Sequence, residues 1–178
     1  RSLASARRIR EVLTEQPDLA NAADPLETVP NGQIDFEGVS FKYNAAAQKS
    51  ALSDITLHIP AGATVGIIGG TGSAKTTLVQ LIPRLYDATE GTVKVGGHDV
   101  RDYDLTALRD AVGIVLQKNL LFSGTIRDNL KWGNPDAAEE QLWAACRAAH
   151  ADEFLDRMPD GLDTDLGQGG VNVSGGQK

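Results

Sequence analysis

Apolar positions change period several times along the chain, and each change marks an element. Leu3, Ala6, Ile9 and Leu13 share one face of a helix expected over residues 2–15, with Arg7, Arg8 and Arg10 on other faces. A solvated helical face accounts for that basic cluster; a membrane surface or an acidic partner is the alternative. Pro17 ends the helix, and Pro17, Pro25, Pro30 and Asn31-Gly32 give residues 17–32 a linker composition. Ile34 and Phe36 then alternate, followed by Val39, Phe41 and Tyr43 in the opposite phase. The slip falls at Gly38 and predicts a bulge or bend. Ile55, Leu57 and Ile59 predict a second alternating strand, ended by Pro60-Ala61-Gly62. Alternation suits an antiparallel sheet with one covered face.

Later runs read differently. Thr64 to Ile68 is continuously apolar, which predicts a strand buried on both faces of a parallel sheet, and Val112 to Leu116 predicts another. Leu78, Leu81, Ile82 and Leu85 follow a helical period. Thr92 to Val95 reads as a strand leading to a Gly96-Gly97 turn. Helices are expected over 125–131 and 138–150, the latter with Leu142, Ala145, Cys146 and Ala149 on one face. Cys146 is thus a core position rather than a reactive thiol. Asp160-Gly161 and the glycine-rich 167–170 are turns.

Composition narrows the function classes. A length of 178 residues suits one domain with a real core. Lys plus Arg number 17 against 24 Asp plus Glu, a net charge of −7, and aromatics are few, which argues against a general nucleic-acid binder. A single cysteine excludes an internal disulfide scaffold. No apolar run approaches the roughly 18 residues that a membrane span needs. His58, His98 and His150 are scattered, without metal-ligand spacing. The chain starts at Arg1 without a leader pattern, so it reads as an excised piece of something longer.

The chemistry concentrates in Gly69-Gly70-Thr71-Gly72-Ser73-Ala74-Lys75-Thr76-Thr77, between an apolar run and an amphipathic helix. That is the context of a Walker A phosphate loop. Backbone N–H groups must converge on phosphate oxygens, so side chains stay small and some φ angles turn positive. The helix N-terminus adds partial positive charge. Lys75 would reach the β- and γ-phosphates, Thr76 would ligate Mg²⁺, and Thr77 would lie near the α-phosphate. The pattern expects Gly where this chain has Ala74. In a left-handed conformation Ala costs on the order of 1 kcal/mol, and its methyl crowds the phosphate. Ala74 therefore predicts weak nucleotide binding. A glycine-rich turn without ligand is the alternative reading.

Val173-Ser174-Gly175-Gly176-Gln177 resembles the LSGGQ signature of ATP-binding cassette (ABC) proteins, with Val for the first Leu. A Ser-Gly-Gly turn opening a helix is again suited to anions, and in that family it serves the ATP held by the opposing subunit. Tyr43 matches the family's adenine-stacking aromatic, against the plain alternative of a sheet residue. Gln117 matches the glutamine that contacts Mg²⁺ and the attacking water, against that of a polar strand end. Phe122 to Leu130 looks like the stretch that follows this glutamine in ABC exporters, and the 2–15 helix like the tail of their last membrane helix. Thr164 to Gly170 is similar to the exporter segment before the signature, with Gln168 and Gly169 where the family carries a Glu-Arg pair.

The resemblance covers nearly the whole chain. It implies an α/β, phosphate-loop NTPase-like cassette with an antiparallel β-subdomain, a partial parallel core sheet and a helical subdomain. Residues 1–32 would be a linker from a membrane domain, 33–117 the ATP-binding core, and 118–178 the helical subdomain ending in the signature. The implied ligands are ATP, held by Tyr43, 69–77 and 174–177, and Mg²⁺, held by Thr76 and Gln117. Lys75 and Gln117 are the implied catalytic groups. The implied partners are a transmembrane domain of the same transporter and a second nucleotide-binding domain, at the cytoplasmic face of the cell membrane, with no nucleic acid. In the family, the Walker B Asp, catalytic Glu and switch His follow the signature. The 178 residues alone are therefore expected to lack hydrolysis, to expose a sheet edge and apolar surface, and to self-associate. A soluble ABC ATPase, disfavoured by 122–130 and the N-terminal helix, and a non-catalytic interaction fragment are the alternatives.

Overall fold

The structure, a computed structural model, describes residues 2–170 and 172–177. Expectations resting on Arg1, Lys178 and the Leu3 side chain lie outside the described residues. The chain divides into two compact units, Arg1–Gly113 and Ile114–Lys178.

The first unit opens with helix α1, Ser2–Thr14, whose Ile9, Val12 and Leu13 are exposed. The segment after it is tied down at two points. Leu26 donates to the Asp102 carbonyl and accepts from the Asp104 N–H, and Asn21 bonds both the Asp104 carboxylate and the Leu105 N–H. Strands β1 (Ile34–Phe41), β2 (Leu52–Ile59), β3 (Glu90–Val95) and β4 (His98–Asp99) form one antiparallel sheet in the order β2-β1-β3-β4. The turn joining β3 to β4 has Gly96 and Gly97 at φ 58° and 87°, the doubly positive geometry a tight hairpin demands.

The bulge expected at Gly38 is present. Pairing with β2 shifts register between Phe36 and Val39, and Gly38 has φ 59°. The shift turns Phe36, Val39 and Phe41 to one covered face, where Val93, Val95, Leu81, Val100, Tyr103 and Leu108 complete a core. Tyr103 is fully buried and donates its hydroxyl to the Val95 carbonyl at 2.8 Å, so its one polar group is satisfied. The opposite face carries cross-strand polar pairs. Asp35 stands opposite His58 and bonds its ring Nδ1, and Lys94 donates to Glu37 at 2.7 Å.

Helix α2, Lys75–Gln80, is shorter than the period through Leu85 predicts. Pro83 cannot donate to the i−4 carbonyl, and Arg84 turns the chain at φ 50°. Arg84 is buried and pairs side-on with Asp87, at 2.7 and 3.1 Å. Arg109 donates to the Pro83 and Arg84 carbonyls and so ties the turn to helix α3, Leu105–Ala111. The pass along the sequence assigns no element there, although Asp104 is a strong N-cap and accepts from the Thr106 and Ala107 N–H groups.

The expected parallel core sheet does not form among the described residues. Neither 64–68 nor 112–116 is a strand, and Ile68 and Val115 are 99% and 89% exposed. A parallel strand is buried only when neighbours pair with both edges and helices cover both faces. The sheet that does form runs wholly through β1 to β4 and offers neither segment a ladder. The apolar surface expected from the sequence is thereby exposed.

The second unit packs α4 (Ile126–Leu130), α5 (Glu139–Ala148) and α6 (Asp152–Leu155) around Ala137, Leu142, Cys146, Leu155 and Leu162. α4 and α5 fall where the sequence predicts them. Thr125 and Asp128 form a reciprocal capping box at the head of α4. Cys146 is buried, and burial pushes its thiol pKa up, as a core position requires.

Gly91 has φ 76°, and a Cβ there would sit 2.3 Å from the Gly38 carbonyl oxygen. Gly97 has a similar φ of 87° but open space around it. Gly91→Ala is therefore expected to lower the unfolding free energy by about 2 kcal/mol or more, and Gly97→Ala by about 1 kcal/mol. Urea unfolding of the two variants tests the ordering.

Candidate functional site

The segment 69–77 is a tight loop entering α2. Ala74 is the N-cap residue, at φ 59° and ψ 21°, and gives no side-chain cap. No backbone carbonyl among the described residues accepts from the N–H groups of Lys75, Thr76 or Thr77. These are the donors that every helix start leaves without partners, and no side chain or carbonyl among the described residues caps them. Lys75 folds back over the loop. Its ammonium donates to the Gly69 carbonyl at 2.6 Å, the Gly70 carbonyl at 2.8 Å and Ser73 Oγ at 3.0 Å. A Cβ on Gly69 would meet Ser73 Oγ at 2.6 Å and would displace that hydroxyl from its place beside Lys75. Around Gly70 and Gly72 the space is open. Thr71, Gly72, Ser73 and Thr76 are exposed, whereas Thr77 is buried.

Tyr43 stands two residues beyond the end of β1 rather than at the strand's end, and it reaches α2. Its hydroxyl is 2.8 Å from Thr77 Oγ1. The structure thus brings Tyr43 together with Thr77, and Lys75 with Gly69, Gly70 and Ser73. Tyr86 also contacts the Tyr43 ring. The sequence pass does not single out Tyr86, because a contact between positions so far apart depends on tertiary folding. Its one local signal is an aromatic just after the turn that ends α2.

Gln117 and the 174–177 segment belong to the second unit, where a groove of about 980 Å³ is lined by Gln117, Gly175, Gly176 and Gln177 together with Phe122 and Trp132. Phe122 and Trp132 stack at 4.5 Å, both exposed. Ser174 donates its N–H to Gln177 Oε1 at 2.8 Å, and Gln177 donates its N–H to the Ser174 carbonyl at 3.0 Å. This is half of a capping box, Gln at N3 reaching back to the N-cap backbone. Residues 175–177 form a turn where the sequence predicts the opening of a helix. Val173 is buried and anchors that turn.

Two carboxylates of this unit near the signature segment, Asp163 and Asp165, are already engaged. Asp163 takes the Arg127 guanidinium at 2.7 and 3.2 Å, and that bond holds its carboxyl pKa below the usual value. Asp165 accepts from the Gly167 N–H at 2.7 Å. Among the described residues no cluster of three or more His, Cys, Asp or Glu could hold a metal by itself.

An apolar run, a glycine loop closed by Lys-Thr-Thr and a helix, beside an antiparallel sheet and a separate helical unit, define a phosphate-loop NTPase cassette. The chain belongs to the ABC transporter family, whose sequence profile matches residues 52–178. It is 42% identical over 175 residues to a multidrug efflux ATP-binding/permease protein of Mycobacterium bovis, covering 98% of this chain and 14% of that protein. It is 40% identical over 179 residues to an uncharacterized ABC transporter ATP-binding protein of Bacillus subtilis, covering 100% of this chain and 31% of the relative. A solved bacterial Atm1-family ABC exporter with ATP bound superposes with a TM-score of 0.89 at 31% identity, over 99% of this chain and 31% of that one. The chain thus spans less than a third of the length of these relatives.

Ala74 carries the left-handed geometry that a glycine would adopt without steric penalty. Ala74→Gly is expected to raise the unfolding free energy by about 0.5 kcal/mol. That is the left-handed penalty relieved, less the added freedom of the unfolded glycine chain. Thermal and urea unfolding check it; a loss of stability would contradict the assignment of strain to this residue.

Proposed function

We propose that residues 1–178 are the ATP-binding part of an ABC exporter that couples ATP binding and hydrolysis to transport across a membrane. One observation carries this reading: the uncapped N-terminus of α2 under a lysine held only by loop oxygens. Lys75 makes bonds that phosphate oxygens can replace, and the N–H groups of Lys75, Thr76 and Thr77 await acceptors. The residues present fit a polyphosphate.

In this reading Gly69, Gly70, Thr71, Gly72, Ser73 and Ala74 wrap the phosphates with backbone N–H groups. Lys75 neutralises the β- and γ-phosphates. Thr76 of the first unit would offer its exposed hydroxyl to Mg²⁺, and Gln117 of the second unit is the glutamine proposed to contact Mg²⁺ and the attacking water. One or two protein ligands suit Mg²⁺, which keeps waters and takes phosphate oxygens for the rest. When bound, Mg²⁺ supplies charge neutralisation at the phosphates. Tyr43 stacks on adenine. Ser174, Gly175, Gly176 and Gln177 serve the nucleotide of a second cassette in a sandwich dimer.

The partners in this reading are a transmembrane domain of the same transporter and that second nucleotide-binding domain, and the site of action is the cytoplasmic membrane face. Residues 1–32 then form the linker from the membrane domain, 33–117 the ATP-binding core and 118–178 the helical subdomain. Two exposed apolar surfaces support contact with further protein: Ile9, Val12 and Leu13 on α1, and Leu120, Phe122 and Trp132 in the second unit. No helix among the described residues is long and apolar enough to cross a membrane.

Residues 1–178 by themselves are proposed not to turn ATP over. Asp163 and Asp165 are committed to Arg127 and to a turn, so neither can polarise a water at the phosphate loop. Calorimetric titration with Mg-ATP is expected to show binding that Lys75→Ala weakens by about tenfold or more. Unchanged affinity in that variant would remove the phosphate-loop reading. Phosphate release should stay far below the roughly 1 s⁻¹ of ordinary enzymes; turnover at that rate by contaminant-free protein would refute the proposed inactivity.

A further inference from the structure

Tyr43 is held at three points. Its hydroxyl bonds Thr77 Oγ1 at 2.8 Å. Its ring meets Phe41 edge-on at 4.8 Å and 81°, and Tyr86 edge-on at 5.3 Å and 87°. Phe41 and Tyr86 close the triangle at 5.4 Å. Two of these supports are rigid: Phe41 is 3% exposed within the core and Thr77 is 5% exposed on α2. Tyr43 itself is 59% exposed, and Tyr86 40%.

A tyrosine so exposed, on a loop past the end of a strand, would ordinarily sample several rotamers. A planar ligand stacking on it would then have to order it, which weakens affinity. Perpendicular aromatic pairs hold a ring because the positive edge of one meets the negative face of the other. With the hydroxyl also bonded, Tyr43 has one orientation before any ligand arrives.

We propose that Tyr86 is a positioning residue: together with the Thr77 hydroxyl it fixes the Tyr43 ring as a ready-made platform for the base of the nucleotide. The inference rests on the reading of Tyr43 as the adenine-stacking residue. Phe41 is a poor probe of it because its loss would open the core, and Thr77 is a poor probe because it stands in the phosphate loop's own helix. Tyr86 is half-exposed, lies outside residues 69–77 and is not among the hydrogen-bond partners of Lys75, so its effect can be separated from phosphate binding.

The test titrates the 178-residue chain, in Mg²⁺, with ATP and with inorganic tripolyphosphate, which has no base. Tyr86→Ala is expected to weaken ATP about three- to tenfold, the scale of a lost aromatic pair, and to leave tripolyphosphate unchanged. Tyr86→Phe should restore the ATP affinity, since the contact is made by the ring. Tyr43→Ala should give the same split between the two ligands. If Tyr43→Ala weakens ATP and Tyr86→Ala does not, the positioning role is wrong while the adenine reading of Tyr43 stands. If Tyr43→Ala binds ATP as wild type does, the adenine reading falls and takes this inference with it. Equal loss of ATP and tripolyphosphate in Tyr86→Ala would make the residue merely structural and overturn the proposal. Should that variant unfold, Tyr86→Leu keeps the bulk without the ring, and the same split is expected of it.

Discussion

Gly91 lies against the Gly38 backbone where no side chain on Gly91 can fit, and much of the first unit follows from that contact. A Cβ on Gly91 would overlap both the Glu37 and Gly38 carbonyls. With Gly91 bare, β3 can approach β1 at the bulge. The bulge changes the phase of β1, so that Val39 and Phe41 follow Phe36 onto the covered face. Without it, Ser40 would be the inward residue. The same phase carries on past the strand and delivers Tyr43 to the α2 side, within reach of Thr77. A backbone irregularity in the sheet thus decides where the proposed base platform stands.

The phosphate loop shows a second constraint, this time electrostatic. α2 is too short for its stability to come from its own hydrogen bonds, and its N-cap residue has no polar side chain. Its first N–H groups leave the loop with unmet bonding capacity, while the Lys75 ammonium spends its three donors on loop oxygens. Leu81, buried against the sheet core, keeps this arrangement in place from the other end of the helix. The site is held by packing at one end so that it can remain unsatisfied at the other.

Which parts of this could be read from the sequence depended on the range of the interaction. The bulge at Gly38, the cap of α4 at Thr125 and the hairpin glycines are local, and period or turn chemistry reveals them. The loop 69–77 is legible for the same reason, since its residue types answer to its own backbone. Residues 64–68 and 112–116 are not, because an apolar run states only that burial is favourable and never names the neighbour. Among the described residues neither segment finds a strand to pair with. Helix α2 ended early because Pro83 outweighs the apolar period on which the longer expectation rested. The Tyr43–Tyr86 contact had no local signal beyond two aromatic letters. Family resemblance supplied the role of Tyr43, but not what holds it.

The net charge of −7 needs reconciling with a polyanionic ligand. Beyond about 8 Å, physiological salt screens exposed charges from one another, so the total charge exerts little force on an incoming phosphate. Arrangement matters more than the total. On the sheet Asp35 is bonded by His58 and Glu37 by Lys94, and in the second unit Asp163 is bonded by Arg127. Between Gly69 and Thr77 there is no acidic residue, and the loop offers one ammonium and a row of N–H dipoles. An acidic surface disfavours the nucleic-acid backbone, while the loop presents the opposite sign over a distance shorter than the screening length. The acidic composition and the anion site are therefore compatible, because they act on different length scales.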